Sequence, residues 1–121
     1  MKKHILIIED NERNRELAKD LLEVAGFEVQ EAVNAMDGVA IARAQPFDLI
    51  LMDLRLPDMH GTAAAQLLRT ERSTACTPIV FVTASVMAEG VAAIKSMTDC
   101  GYISKPIDTR TFARDVAQYI R

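Results

Sequence analysis

The chain has no apolar run approaching the roughly 18–20 residues that a membrane-spanning helix needs. The start, Met1-Lys2-Lys3 followed by His4-Ile5-Leu6-Ile7-Ile8, has the flavour of a signal peptide. Its apolar stretch is too short, and Glu9-Asp10 ends it at once. A cytoplasmic location without membrane contact is therefore expected. Cysteine is scarce: Cys76 and Cys100 form no CxxC pair, and both are expected as reduced, partly buried thiols. No cluster of lysine and arginine marks a nucleic-acid footprint. With 14 basic and 17 acidic side chains the net charge is −3, so direct nucleic-acid binding is not expected. No internal repeat, low-complexity tract or linker interrupts the 121 residues. Half of them are apolar, which excludes disorder and suits one ordinary globular domain over residues 1–121.

What the sequence does contain is a strict alternation. Ile5–Ile8 is a short apolar run. Asn11 to Ala25 carries Leu17, Ala18, Leu21, Leu22 and Ala25 at helical spacing, with Gly26 where a helix-ending glycine belongs. Phe27–Ala32 alternates apolar and polar residues, which suits a half-exposed strand. Asn34 can cap a helix over about Ala35–Ala44, closed by Pro46. Asp48–Asp53 is a second apolar run flanked by acids, followed by a polar loop with Pro57 and Gly61 and a helix over about Thr62–Thr70. Ile79–Val82 reads as a buried strand, Met87–Met97 as a helix and Gly101–Ile103 as a short strand. Asp108 then caps a last helix with the stripe Phe112, Ala113, Val116, Tyr119 and Ile120.

The chain thus reads strand-helix five times. Continuous apolar runs in the first, third and fourth strands indicate a sheet covered on both faces. Right-handed crossovers then give an α/β, flavodoxin-like, doubly wound (βα)5 parallel sheet of order 2-1-3-4-5. Ligands bind such sheets beyond the carboxyl ends of the strands, where the winding reverses. The strand ends select the candidate residues. The first strand ends in Glu9-Asp10, the third in Asp53, the fourth in Thr83 and the fifth in Ser104-Lys105-Pro106.

Taken singly these residues are ordinary: capping acids, a turn aspartate, a strand-ending threonine, a Lys-Pro turn. Their signal lies in the constellation. Three converging carboxylates need raised pKa values or a cation. An all-oxygen donor set favours Mg²⁺ or Ca²⁺ over zinc, and a shallow rim with few carboxylates suits Mg²⁺, which accepts phosphate oxygens as further ligands. Lys105 can then neutralise one phosphoryl oxygen and Thr83 hydrogen-bond another. Asp53, standing singly on the central strand, is the candidate nucleophile for an acyl phosphate.

Four segments carry a resemblance. They are Ile7-Ile8-Glu9-Asp10-Asn11; Leu49-Ile50-Leu51-Met52-Asp53-Leu54-Arg55-Leu56-Pro57-Asp58-Met59 with Gly61; Pro78 through Ala84; and Tyr102-Ile103-Ser104-Lys105-Pro106-Ile107. With them the chain resembles, over its whole length, the receiver domain of bacterial two-component response regulators (the CheY-like fold), and looks most like the single-domain DivK-type regulators. The resemblance implies a phosphoryl-accepting regulatory domain and not an enzyme. Asp53 would take phosphoryl from a phosphohistidine of a sensor histidine kinase or histidine phosphotransferase. Glu9, Asp10, Asp53 and the backbone carbonyl of Arg55 would hold Mg²⁺. Thr83 and Lys105 would bind the phosphoryl group, Tyr102 would turn inward with Thr83, and the Lys105–Pro106 bond would be cis, which X-Pro bonds tolerate. Asn11, Arg13 and Asn14 would border the donor's docking face, and Ile107, with Tyr102, the output face. The fourth helix, fifth strand and fifth helix would form the output face toward a downstream protein, with dimerisation on phosphorylation left open.

Two alternatives use the same fold. A Mg²⁺-dependent aspartyl-phosphate phosphatase usually has a general acid two residues after the nucleophile. Here that position is Arg55, which cannot donate a proton at neutral pH, although its charge can tune the lifetime of an acyl phosphate. A flavin module needs a phosphate loop where this chain has Glu9-Asp10-Asn11. The helix expected at Met87–Met97 contains Gly90 and ends in Ser96-Met97-Thr98-Asp99-Cys100, where relatives often have Ala-Gly, and is expected to be mobile. His4 is expected to be structural, His60 a solvated loop residue, and Arg13, Arg15 and Arg69 solvated on helix faces.

Overall fold

The computed structural model describes residues 2–83 and 100–120. The run Ile5–Ile8 lies inside β1 (His4–Ile8), which pairs in parallel with β2 (Glu28–Ala32) on one side and β3 (Leu49–Asp53) on the other. β4 (Ile79–Thr83) and β5 (Cys100–Ser104) extend the sheet to the order β2-β1-β3-β4-β5. Four helices are described: α1 (Glu12–Val24), α2 (Ala35–Ala44), α3 (Gly61–Arg69) and α4 (Phe112–Ala117). The expected helix at Met87–Met97, with Gly90 and its altered end as far as Asp99, lies outside the described residues, as do Ala84 and Ser85; Cys100 opens β5.

The two-residue period of the strands divides the core in two. Leu6, Ile8, Ile50, Met52, Ile79 and Phe81 face one way and pack with α2 and α3. Ile5, Ile7, Leu49, Leu51, Val80 and Val82 face the other and pack with α1 and α4. All these side chains are buried, so β1, β3 and β4 have no solvent face, and this is why their sequences are continuous apolar runs. Full burial of each such side chain is worth about 1.5–3 kcal/mol over leaving it exposed. A one-residue slip of any of them would exchange the two core layers. β2, at the sheet edge, keeps the polar-apolar alternation of its sequence.

The helix ends follow local chemistry. Asn11 caps α1 by accepting the Asn14 amide at 2.9 Å, and Asn34 caps α2 by accepting the Asp37 amide at 2.8 Å. Gly26, at φ 100°, ends α1: its amide donates to the Glu23 carbonyl and that of Phe27 to the Leu22 carbonyl. Phe27 therefore belongs to the helix exit, and β2 starts one residue later than its alternating pattern suggests. Gln45 before Pro46 is extended (φ −151°, ψ 154°) and stops α2.

Four expectations are corrected. β5 is longer than Gly101–Ile103 because pairing with β4 runs from Ile79–Cys100 to Thr83–Ser104. Asp108 does accept the Arg110 amide at 2.9 Å, but it caps a turn; α4 proper begins at Phe112, and Tyr119 and Ile120 lie beyond its end. Cys76 is exposed, and only Cys100 is half-buried. Gly61, read as part of the loop, is the first residue of α3.

Gly61 is also where α3 comes closest to the end of β3. A Cβ there would lie 2.6 Å from the Asp53 carbonyl oxygen and 3.0 Å from Leu54 Cα. Both obstacles are backbone and cannot swing aside. Gly61→Ala is therefore expected to lower the unfolding free energy by about 1–3 kcal/mol, the usual cost of overpacking, in urea titrations. An unchanged midpoint would show that α3 is free to shift.

Candidate functional site

The parallel register delivers the ends of four strands to one edge of the sheet. Glu9 extends the β1–β2 pairing by one residue, its amide donating to the Ala32 carbonyl at 3.0 Å. This turns the Glu9 side chain into the protein, where the residue is 6% exposed, while Asp10 faces solvent. Asp53 closes β3 and is half-buried. Ligand oxygens of Glu9, Asp10 and Asp53 all lie within 4.8 Å of one another. The cap of the following helix is Asn11; Glu9 contributes only a long contact, accepting the Asn11 amide at 3.3 Å.

Thr83 ends β4 and is buried. Its carbonyl accepts the Lys105 amide at 2.8 Å, carrying the β4–β5 pairing past Ser104. The Lys105–Pro106 peptide is cis. From this point the Lys105 side chain reaches back over the sheet edge. Its Nζ donates to Glu9 Oε1 at 3.0 Å and to Asp53 Oδ2 at 3.2 Å. Asp53 Oδ1 accepts the Arg55 amide at 3.2 Å. Arg55 itself is exposed and bridges to His60 across the loop that follows β3.

The charges are coupled. Burial pushes the Glu9 carboxyl above the ordinary glutamate range; the Lys105 hydrogen bond pulls it down and Asp53 pushes it up again. For Lys105 burial disfavours the ammonium, but the hydrogen bonds and charges of Glu9 and Asp53 outweigh it and hold the pKa above the ordinary lysine value. The ammonium is thus a fixed positive charge between two carboxylates. The donor set around it is entirely oxygen, which fits a hard divalent cation.

The remaining sequence candidates are spread about this edge. Tyr102 stands beside Phe81 in the sheet and packs, half-buried, against the core layer of α2 and α3. Asn14, Leu17, Lys105, Pro106 and Ile107 line an open groove of about 310 Å³. Asn11 and Arg13 are exposed and do not line it.

Several side chains have roles that sequence reading missed. Arg15 is not a solvated helix residue: its Nη1 donates to the Glu9 carbonyl at 3.0 Å, and its Nε lies 3.7 Å from Glu31. Arg69 bonds the Thr74 carbonyl at 3.1 Å and reaches the Cys100 sulfur at 3.7 Å. His60 is exposed but caps α3, accepting the Thr62 amide through Nδ1 at 3.3 Å. His4, by contrast, has a structural contact of the expected kind, its Nε2 lying 3.1 Å from Glu28. Asp58 accepts the amides of Ala35 and Met36, each at 2.9 Å, across more than twenty residues of sequence. A carboxylate suits a helix N-terminus, yet nothing local in the sequence says which helix Asp58 will meet.

Comparison with known proteins places the chain in a family. Residues 5–117 match the response regulator receiver domain family. The polar-differentiation response regulator DivK of Brucella anthropi is 34% identical over 120 residues, covering 99% of this chain and 98% of its own, and that of Brucella ovis is 33% identical over the same length. In three dimensions the chain is similar to the chemotaxis response regulator CheY4 of Vibrio cholerae (TM-score 0.92, 24% identity, 99% of this chain and 100% of the other). It is similar also to the receiver domain of a sensor histidine kinase from Pseudomonas aeruginosa PAO1, solved with magnesium coordinated in its active-site cleft (TM-score 0.87, 26% identity, 98% of both chains). A doubly wound sheet ending in three clustered carboxylates and a lysine, matched over almost its full length by these relatives, belongs to the response regulator receiver family of two-component signalling.

Proposed function

We propose that Asp53 is the phosphoacceptor of a Mg²⁺-dependent phosphorelay, taking its phosphoryl group from a phosphohistidine on a sensor kinase or histidine phosphotransferase. The observation that carries this reading is the Lys105 ammonium, at 3.0 and 3.2 Å from two of three carboxylates gathered within 4.8 Å. An Asp53 carboxylate oxygen attacks phosphorus, the P–N bond breaks, and its electron pair leaves with the imidazole. The product is an acyl phosphate on Asp53. Glu9, Asp10, Asp53 and the Arg55 carbonyl are the residues that would hold Mg²⁺, which when bound supplies the positive charge that lets a phosphoryl group approach.

The chain's own groups do the rest. Lys105 carries its charge at the edge of Asp53 before transfer and can follow the new charge onto a phosphoryl oxygen. The Arg55 amide orients the Asp53 carboxylate by holding Oδ1. Thr83, one residue beyond the register partner of Asp53, is the proposed hydroxyl donor to the phosphoryl group. Phosphorylation replaces the single carboxylate charge with a phosphoryl group of about −1.5 to −2. The proposed response runs through Thr83 and Tyr102 to the face formed by β5 and α4, where affinity for a downstream protein changes. The groove at Asn14 and Ile107, with Asn11 and Arg13 at its margin, is the proposed donor-docking side. A cytoplasmic setting fits this chemistry, and no helix among the described residues is long and apolar enough to cross a membrane.

Incubation with Mg²⁺ and acetyl phosphate or phosphoramidate is expected to add one phosphoryl group by intact mass. Asp53→Asn should abolish the gain, and Lys105→Ala should leave phosphorylation detectable but separate it from the conformational response. Multiple turnover on phosphomonoesters would instead establish a phosphatase, and an Asp53→Asn protein that still gains the group would overturn the assignment.

The raised pKa of Glu9 makes a pH prediction. Because the folded value exceeds the unfolded one, Glu9 favours folding most when protonated, and this contribution is lost as pH rises through the folded pKa. Mg²⁺ must displace that proton, so metal affinity should weaken as pH falls through the same range. Carboxyl ¹³C NMR of the metal-free protein should show Glu9 titrating above an ordinary glutamate, and higher still in Lys105→Ala. Titration at or below the ordinary value would contradict the coupling.

A further inference from the structure

The loop between β3 and α3, residues 54–60, carries Arg55 beside the acceptor and is held from two directions. On the α3 side the ties are local: the Arg55–His60 bridge, and the Gly61 amide on the Leu54 carbonyl at 2.7 Å. Leu54 and Leu56 anchor it from below in the core layer of α2 and α3. On the α2 side the hydrogen bonds found among the described residues come from Asp58. Both of its carboxylate oxygens are used, Oδ1 on the Ala35 amide and Oδ2 on the Met36 amide, each at 2.9 Å.

The anchor is closely packed. Ala35 is fully buried, and α2 is seated so closely on β1 that a Cβ at Gly38 would lie 2.3 Å from Ile8 Cδ1. Asp58 also differs from an ordinary cap. The ordinary cap of α2 is already supplied by Asn34 on the Asp37 amide. Asp58 is a second cap delivered from another loop, and the two amide bonds hold its carboxyl below the usual aspartate range. Helix capping explains why α2 benefits. It does not explain why the capping group is borne by the loop that shapes the site.

We propose that Asp58 is a positioning residue for the acceptor site: by fastening the β3–α3 loop to the start of α2, it sets where Arg55 presents its backbone to Asp53 and to a divalent ion. This rests on Asp53 being the acceptor. The carboxylate touches neither phosphoryl group nor ion; it acts through the loop, as outer-shell partners of metal ligands do.

The test compares the full chain with Asp58→Ala, Asp58→Asn and Asn34→Ala, at a temperature where circular dichroism shows each folded. Asn34→Ala removes the other cap of α2 and leaves the loop tether intact, so it controls for lost helix stability. Three quantities are read: hydrogen exchange of the Arg55 amide in metal-free protein, the Mg²⁺ dissociation constant by NMR titration, and the rate of phosphoryl gain from acetyl phosphate. Asp58→Ala is expected to speed Arg55 exchange and to weaken Mg²⁺ binding and slow phosphorylation by roughly tenfold or more. Asp58→Asn, which keeps one acceptor oxygen, should lie between, and it decides the matter if Asp58→Ala does not fold. Asn34→Ala should match the unmodified chain in all three. Values within twofold for the Asp58 variants, or equal losses in Asn34→Ala, would overturn the proposal. An unmodified chain that takes up no phosphoryl group would instead overturn the reading of Asp53 and leave the exchange result to judge the tether.

Discussion

The ammonium of Lys105 is the contact on which the carboxyl edge of this sheet depends. Glu9, Asp10 and Asp53 are placed by strands that have no other choice of register, because each slip would drive polar groups into a core layer. Their mutual repulsion is therefore imposed by the fold. One unit charge a few ångströms from each of two carboxylates offsets it, by about 4 kcal/mol per pair at 4 Å and an effective dielectric of 20, before the cost of partial desolvation is subtracted. That cost is real here: the Glu9 carboxyl stays above its ordinary range even with Lys105 in contact. The edge is thus incompletely neutralised, and its charge balance has room for a divalent cation.

The same lysine ties the site to the far side of the sheet. Its amide is fixed by the Thr83 carbonyl and its side chain by Glu9, just past β1, and Asp53 of β3, so Lys105 links β4 and β5 to the acidic cluster. The opposite flank is governed by a different device. There the loop after Asp53 lies between α3, which approaches so closely that only glycine fits at position 61, and α2, which holds the loop through Asp58. Strand ends supply the charges, and the two loop attachments decide how those charges face one another.

How much of this could be read from the chain depended on range. Apolar runs in β1, β3 and β4 announced a two-faced parallel sheet because their composition reflects burial on both sides. Asn34 and Gly26 announced helix ends because their partners lie within three or four residues. The strand-end rule then gathered Glu9, Asp10, Asp53, Thr83 and Lys105 without any side-chain geometry. Contacts set by packing were not legible. Arg15 looked like one more helix surface charge until α1 lay across the Glu9 carbonyl. The start of α4 was displaced from Asp108 because a capped turn precedes the helix. Asp58 was visible as part of a motif, but its partner is two elements earlier and no spacing encodes it.

A phosphoryl group on Asp53 would meet two donors that are already engaged. The Arg55 amide serves Oδ1, and the Lys105 ammonium divides itself between Oδ2 and Glu9. Phosphorylation of Asp53 would remove its carboxylate charge and place a larger one farther out, drawing the ammonium from Glu9 toward the new oxygens. Glu9 then loses the hydrogen bond that lowers its pKa, and either takes up a proton or binds more strongly to a cation. The metal and the phosphoryl group would consequently reinforce each other through a side chain that touches neither reacting bond. Such a coupling would need no distant conformational pathway. It would follow from one lysine serving two acids in a partly buried cleft.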